Sequence, residues 1–308
     1  MPSPSPPAEW PTLPTAAANG LVTLAEAAQI LGVHYMTAYR YVRTGRLAAR
    51  QRGGRWQVSL TELDAFRSGL APSPTGGTVQ GGGVRATGRS AVLLAERLIA
   101  GDEAGSWRIV DDARAAGVDL DEIYLEVIGA SLREVGDRWA SGHATVADEH
   151  TASVVAMRVI GRLGPSAARR GRSRGTVVVA AAPGDRHGLP CALLADLLRR
   201  RGLRVVDLGA DTPPEDVAAA ASAEDRLVGV GLCATTPLRA ASTGVLSEAV
   251  RLVHEATAAP VLVGGAGAQA AGAAGRTGAD AAAFDATEAL EWFESAATGS
   301  SPEGWSSR

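Results

Sequence analysis

The residues best placed to do chemistry in this chain sit in the segment PGDRHGLP, directly after the β-branched run TVVVAA. An imidazole can ligate a transition metal, and a carboxylate two residues away can orient it through its other ring nitrogen. Asp185 and His187, followed by Gly188, have that relation. Two more runs, LVGVGLC and PVLVGG, end in Cys233-Ala234-Thr235-Thr236 and Gly264-Gly265. Small residues there leave an open slot beside the first loop, and glycine lets a backbone approach a bulky flat ligand closely. A second group lies upstream in RWASGHATVADEHTAS. Trp139 stands at a helix end, Val146 opens the next helix, and Glu149 and His150 fall in its first turns. A third group is basic: Tyr35, Thr37, Arg40 and Arg43 on one short helix, then Arg50, Arg52 and Arg55 around Gly53-Gly54. Arginine suits both phosphates and guanine edges, so this group points to DNA.

Periodicity defines the secondary structure that carries these residues. From Gly175 onward, short apolar runs alternate with Ala/Leu-rich helical stretches, ALLADLLRRRG, PEDVAAAAS and LSEAVRLVHEA among them. That alternation predicts a parallel, doubly wound sheet, a Rossmann-like α/β domain over 174–296. Ligands of such sheets bind at the carboxyl ends of the strands, where His187 falls. From Ser90 to Leu163 the apolar spacing is helical, with breaks near Gly101, Gly117 and Gly142. A four-helix bundle over 89–165 is expected, its helices running roughly over 90–100, 105–116, 120–140 and 146–163.

At the front, Thr23 and Glu26 form a capping box that starts the helix LAEAAQIL, which stops at Gly32. A second helix, YMTAYRYVRTG, ends at Gly45, with Ala38 and Val42 facing inward. Two short helices joined by a Gly-containing turn form a helix-turn-helix. LAARQRGGRWQVSL then gives a hairpin wing, with Trp56 in its core. This winged helix-turn-helix domain spans 21–69. Residues 1–20 and 297–308 are expected to be tails, and 70–88, rich in Gly, Ser and Pro, a linker.

The formal net charge of −3 conceals an excess of four positive charges between Leu21 and Arg67, seven Arg against Glu26, Glu62 and Asp64. Cys191 and Cys233 have neither zinc-like spacing nor a disulfide framework. No apolar run is long enough for a membrane span and the N-terminus is not that of a signal peptide, so a cytoplasmic protein is expected.

The stretch 21–69 resembles the excisionase-type winged helix-turn-helix, a relative of the MerR group. LAEAAQILGV, Tyr39-Arg40, Gly45-Arg46-Leu47 and GGRWQV carry the likeness. Asp185, His187, Cys233 to Thr235 and Gly264-Gly265 resemble the D-x-H-x-x-G, S-x-L and G-G signatures of cobalamin-binding Rossmann domains. The resemblance implies that His187 is the lower axial cobalt ligand and that the other two loops line the channel for the nucleotide tail. Pro190 stands where the first signature has Gly, and Cys233 and Thr235 replace the Ser and Leu of the second. Trp139, Val146, Glu149 and His150 resemble the W-x9-E-H motif of CarH-type, adenosylcobalamin-dependent light-sensing repressors, whose bundle caps the corrin around the adenosyl group. In that type a His directly after the Trp can capture cobalt once the adenosyl group leaves. Here that position is Ala140, with His143 nearby.

The resemblance implies a non-enzymatic transcription regulator that binds adenosylcobalamin and an operator. A homo-oligomer, dimer or tetramer, would shift when light breaks the cobalt–carbon bond. A light-independent cobalamin sensor, a corrinoid methyl carrier and a pocket retuned to another tetrapyrrole are the alternatives.

Overall fold

The structure, a computed structural model, describes residues 21–31, 38, 41–42, 47–52, 55–67, 81–167, 171–235, 240–268 and 272–299. The chain divides into two compact units, Met1–Val79 and Gln80–Arg308.

In the first unit β1 (Leu21–Thr23), β2 (Arg50–Arg52) and β3 (Arg55–Ser59) form an antiparallel sheet in the order β1-β3-β2. The expected capping box is present: the Thr23 N–H donates to Glu26 Oε2 at 2.7 Å, and the Glu26 N–H to Thr23 Oγ1 at 3.3 Å. It starts the helix Leu24–Ile30. The wing is the β2–β3 hairpin, in which Arg52 pairs with Arg55. Ala38 and Val42 are buried with Leu24, Ala27, Val58 and Leu63, and Trp56 packs partly buried against this core. β1 was not anticipated, because three residues are too few to show an alternation. Tyr35, Thr37, Arg40 and Arg43 lie outside the described residues, as do the 1–20 tail and 70–80 of the expected linker.

The second unit opens on the helix Gly81–Ile99, which starts inside the stretch expected to be linker. Extending a formed helix adds one hydrogen bond per residue fixed, so Gly81–Gly83 can join despite a cost of about 1 kcal/mol for each glycine. Thr87 is already buried. The second bundle helix is Glu103–Ala115. The third starts at Leu120–Glu122, passes through a π-helical stretch, Ile123–Ile128, and continues as Gly129–Ala140. The fourth, Val146–Ala167, runs past its expected end and through Pro165.

The α/β part has five parallel strands in the order β5-β4-β6-β7-β8: β5 (Arg204–Asp207), β4 (Thr176–Ala181), β6 (Leu227–Cys233), β7 (Val261–Gly264) and β8 (Ala281–Ala283). All six residues of β4 are buried, Val177 and Val179 on one face and Val178 and Ala180 on the other. Burial on both faces explains why β4 reads as a continuous apolar run. One face packs on the helices Leu189–Arg200 and Ala286–Ala297. Gly231 in β6 lets the second of these come close, since a Cβ there would stand 3.2 Å from the Phe293 ring.

The bundle and the sheet are not separate bodies. Leu94, Tyr124, Val159 and Leu163 of the bundle share one hydrophobic core with Val177, Leu197 and Phe293. The fourth bundle helix packs along Leu189–Arg200. At the far end of that helix Tyr124 Oη donates to Asp196 Oδ2 at 2.8 Å, and Asp121 receives both Arg200 and Arg201. The π-helical stretch that carries Tyr124 also begins beside Asp121, so both ties leave the bundle from one place.

Candidate functional site

The strand order places one strand, β5, to one side of β4 and three, beginning with β6, to the other. Connections leaving β4 and β6 therefore diverge, and a crevice opens at their carboxyl ends, the usual ligand site of open α/β sheets. The register aligns that edge: Ala181 pairs with Cys233, and Cys233 with Gly264. The loops bearing Asp185, Thr235 and Gly265 thus leave the sheet side by side.

Asp185 is buried, 3% exposed, and lies at the centre of the site. Its Oδ1 accepts the His187 N–H at 3.0 Å and is 2.6 Å from His187 Nδ1. The Thr235 N–H donates to Oδ2 at 2.5 Å, and the Thr235 hydroxyl lies 2.8 and 2.7 Å from the two carboxylate oxygens. Burial pushes the Asp185 carboxyl up, but hydrogen bonds from Thr235 and then His187 outweigh it and hold the group below its ordinary range. The anion is therefore the resting form. The His187 side chain is 52% exposed and engaged through Nδ1, so Nε2 is the ring nitrogen left to serve as a ligand. Sequence reasoning placed Thr235 on a tail channel; the structure places it against Asp185 and 2.7 Å from His187 Nδ1. A hydroxyl in a small-residue turn carries no signal of its partner fifty residues earlier.

Beside this network is a small apolar slot, open to solvent at its mouth, lined by Pro190 and Leu194 together with Gly264, Gly265 and Ala289. Cys233 and Leu262 contribute to its lining. Pro190 costs nothing, because it occupies the first turn of the helix Leu189–Arg200, where its missing N–H has no partner to lose. Behind that lining, contact with Cys233 and burial push the Cys191 thiol up, so it is a neutral core group. Gly265 has φ +102°, and a Cβ there would stand 2.5 Å from the Ala234 carbonyl oxygen. Only glycine lets this loop close beneath the slot. Gly188 meets no such limit: an added Cβ would have ordinary contacts, one of them 3.9 Å from Met157 Cε on the fourth bundle helix. That neighbour brings the bundle against the His187 loop.

On the bundle, Trp139 is 51% and Val146 55% exposed, large apolar surfaces left uncovered. The turn between their helices is fixed: Gly142 has φ +75°, and the His143 and Ala144 N–H groups both donate to the Arg138 carbonyl. Thr145 and Asp148 cap the fourth helix reciprocally, at 2.8 and 3.1 Å. Glu149 is 25% exposed and His150 beside it is exposed, with His150 Nε2 3.6 Å from Glu149 Oε2. His143 Nδ1 lies 2.9 Å from Ser141 Oγ. Val154 and Met157 continue the exposed apolar stripe along the same helix; sequence reasoning missed both, although their spacing from Val146 could have revealed them.

The residues present fit a corrinoid: an exposed imidazole on a buried carboxylate, an apolar slot beside a turn that glycine closes at 265, and an exposed aromatic and aliphatic face. The described residues hold no cluster of three or more His, Cys, Asp or Glu groups suited to a free metal ion. No helix among them is long and apolar enough to cross a membrane.

Comparison with known proteins agrees with this geometry. Residues 93–163 and 175–293 each match a B12 binding domain family, and 21–70 match a helix-turn-helix domain. The chain is similar to trimethylamine corrinoid protein 1 of Methanosarcina acetivorans, 32% identical over 36% of this chain and 53% of that protein. It is also similar to the HTH-type transcriptional repressor CarH of Myxococcus xanthus, 38% identical over 35% of this chain and 36% of the repressor. The match thus spans about half the length of the first relative and about a third of the second. In fold, it resembles the monomethylamine corrinoid protein of Methanosarcina barkeri, with a TM-score of 0.54 and 23% identity over 64% of this chain and 93% of that one. The chain therefore combines B12 binding domains with a helix-turn-helix domain.

Proposed function

We propose that this protein is a DNA-binding transcription regulator that holds adenosylcobalamin between its bundle and its parallel sheet, and that the state of the cofactor sets DNA affinity. The observation that carries this reading is the His187–Asp185–Thr235 network at the switch point of the sheet. An exposed imidazole needs no buried carboxylate for its own solvation, whereas a metal ligand needs its ring angle and tautomer fixed.

His187 would hold the lower face of the cofactor through Nε2. The slot beside Cys233, Gly264 and Gly265 would take the nucleotide tail, with apolar walls that favour a flat heteroaromatic group. Trp139 and Val146 would cover the upper face and exclude water, and Glu149 would accept hydrogen bonds from ribose hydroxyls. Adenosylcobalamin, when bound, supplies a cobalt–carbon bond that light can break. No residue in this scheme makes or breaks a bond on a substrate, so the role is that of a non-enzymatic switch.

The front unit supplies the readout. Arg40 and Arg43, which the sequence pattern assigns to a recognition helix, would enter the major groove, with Arg52 and Arg55 of the wing beside the phosphates. A closed homo-oligomer, dimer or tetramer, would set two such units at a fixed spacing, and a shift between two assemblies would alter operator affinity. The similarity to CarH supports the regulatory reading. Ala140, standing where the CarH type has a cobalt-capturing His, favours a second reading in which the protein senses cobalamin abundance without light.

The test is an absorption spectrum and gel-filtration profile of the full chain with adenosylcobalamin, in darkness and after green light. A complex whose spectrum and size both change supports the light switch. A complex whose size does not change favours the abundance sensor, and absence of binding defeats both.

A further inference from the structure

In an α-helix a serine hydroxyl commonly donates to the carbonyl three or four residues back. Ser131, Ser141 and Ser295 do so here, at 2.7, 2.7 and 2.9 Å from the carbonyls of Ile128, Asp137 and Glu291. Ser153 instead donates to a side chain, Oε1 of Glu149 one turn earlier, at 2.8 Å. The other Glu149 oxygen lies 3.6 Å from His150 Nε2, beyond hydrogen-bond length. One oxygen is tethered and the second is available.

The tether sits in a telling place. At 3.6 residues per turn, positions 146, 149, 150, 153, 154 and 157 share one broad face of the fourth bundle helix. Val146, Val154 and Met157 on that face are exposed and apolar, and Met157 approaches Gly188 beside His187. Glu149 lies eight residues from Met157, about 12 Å along the axis. A tethered carboxylate set among exposed apolar groups suits a ligand that is mostly flat and apolar with one hydroxyl-bearing part. Ordering a free glutamate on binding costs rotamer entropy, and a tether made beforehand removes part of that cost.

We propose that Ser153 is a specificity-determining positioning residue: it holds Glu149 so that Oε2 accepts from a sugar hydroxyl, selecting a nucleoside-bearing cobalamin over one whose upper ligand has no donor. The proposal rests on the reading of the bundle face as the upper wall of the cobalamin site. A methyl group in the same place offers nothing to Oε2, so the tether is neutral toward it.

The experiment titrates the full chain in darkness with adenosylcobalamin and with methylcobalamin, following visible absorption. Ser153→Ala is expected to weaken adenosylcobalamin binding about three- to tenfold, the effect of one hydrogen bond, and to leave methylcobalamin within about twofold. Ser153→Thr, which keeps the hydroxyl, restores the preference. In a Glu149→Ala background, Ser153→Ala adds nothing further, since the two act as one unit. Equal losses for both cobalamins, or a full effect of Ser153→Ala without the Glu149 carboxylate, would overturn the proposal. A wild-type protein with no preference for adenosylcobalamin would remove the reading of the bundle face as well. A wild-type preference that survives Ser153→Ala removes the role of Ser153 alone.

Discussion

Thr235 is the residue whose role changes most between sequence and structure. Its amide and hydroxyl both reach Asp185, so it stabilises by hydrogen bonding the anionic form of a carboxylate that burial alone would drive toward protonation. Asp185 in turn fixes His187. Removing the hydroxyl while keeping the shape, Thr235→Val, leaves a buried carboxylate short of one donor and frees the imidazole to rotate. Outer-sphere partners of metal ligands are worth about 10- to 100-fold in affinity, so cobalamin binding is expected to weaken by about that range. Thr235→Ser keeps the hydroxyl and retains most of the affinity. The measurement is a cobalamin titration read in the visible spectrum, where loss of a nitrogen ligand to cobalt also shifts the bands. Unchanged spectra and affinity in Thr235→Val would show that Asp185 holds the imidazole without the Thr235 hydroxyl.

At the scale of elements, the slot depends on how the loop after β7 turns. Gly265 takes a positive φ directly against Ala234, and the Ala234 N–H donates to the Gly264 carbonyl at 2.8 Å. Gly265→Ala forces either a shift of the β6 loop or a strained residue, a cost of about 1–3 kcal/mol. Because the β6 loop also carries Thr235, the damage is expected to reach the tail slot and the ligand network together. Cobalamin should lose more affinity than cobinamide, a corrinoid without the nucleotide tail, when both are titrated into the folded variant. Equal losses would place the tail elsewhere. Much of this was legible in the sequence. The burial of β4 on both faces, the breaks at Gly101, Gly117 and Gly142, and the small residues ending β6 and β7 all carry local signals. The π-helical stretch and the Tyr124–Asp196 tie were not legible, since they depend on partners seventy-two positions apart and on no local period. The helical start at Gly81 was hidden for a different reason: glycine-rich composition reads as linker, whereas helix propagation is decided by the strongly helical residues downstream.

At the scale of the molecule, the question is whether the front unit and the B12 binding domains answer to each other. A carrier protein requires no such link, because a corrinoid delivered to a partner gains nothing from DNA. A regulator requires it, and thermodynamics makes the link reciprocal: if cobalamin changes operator affinity by some factor, the operator must change cobalamin affinity by the same factor. For a functional switch that factor is expected to lie at roughly 5- to 150-fold, the usual range of a coupling between sites. Both halves can be measured on the full chain. A duplex selected by the protein from random-sequence DNA is titrated with and without adenosylcobalamin, in darkness and at fixed salt, since phosphate contacts make the affinity salt-dependent. Adenosylcobalamin is then titrated with and without that duplex. Matching factors well above one in both directions establish a coupled regulator whatever the role of light. A factor of one in both leaves two independent activities on one chain and sinks the regulatory reading, while unequal factors expose a change of assembly that accompanies only one of the two titrations.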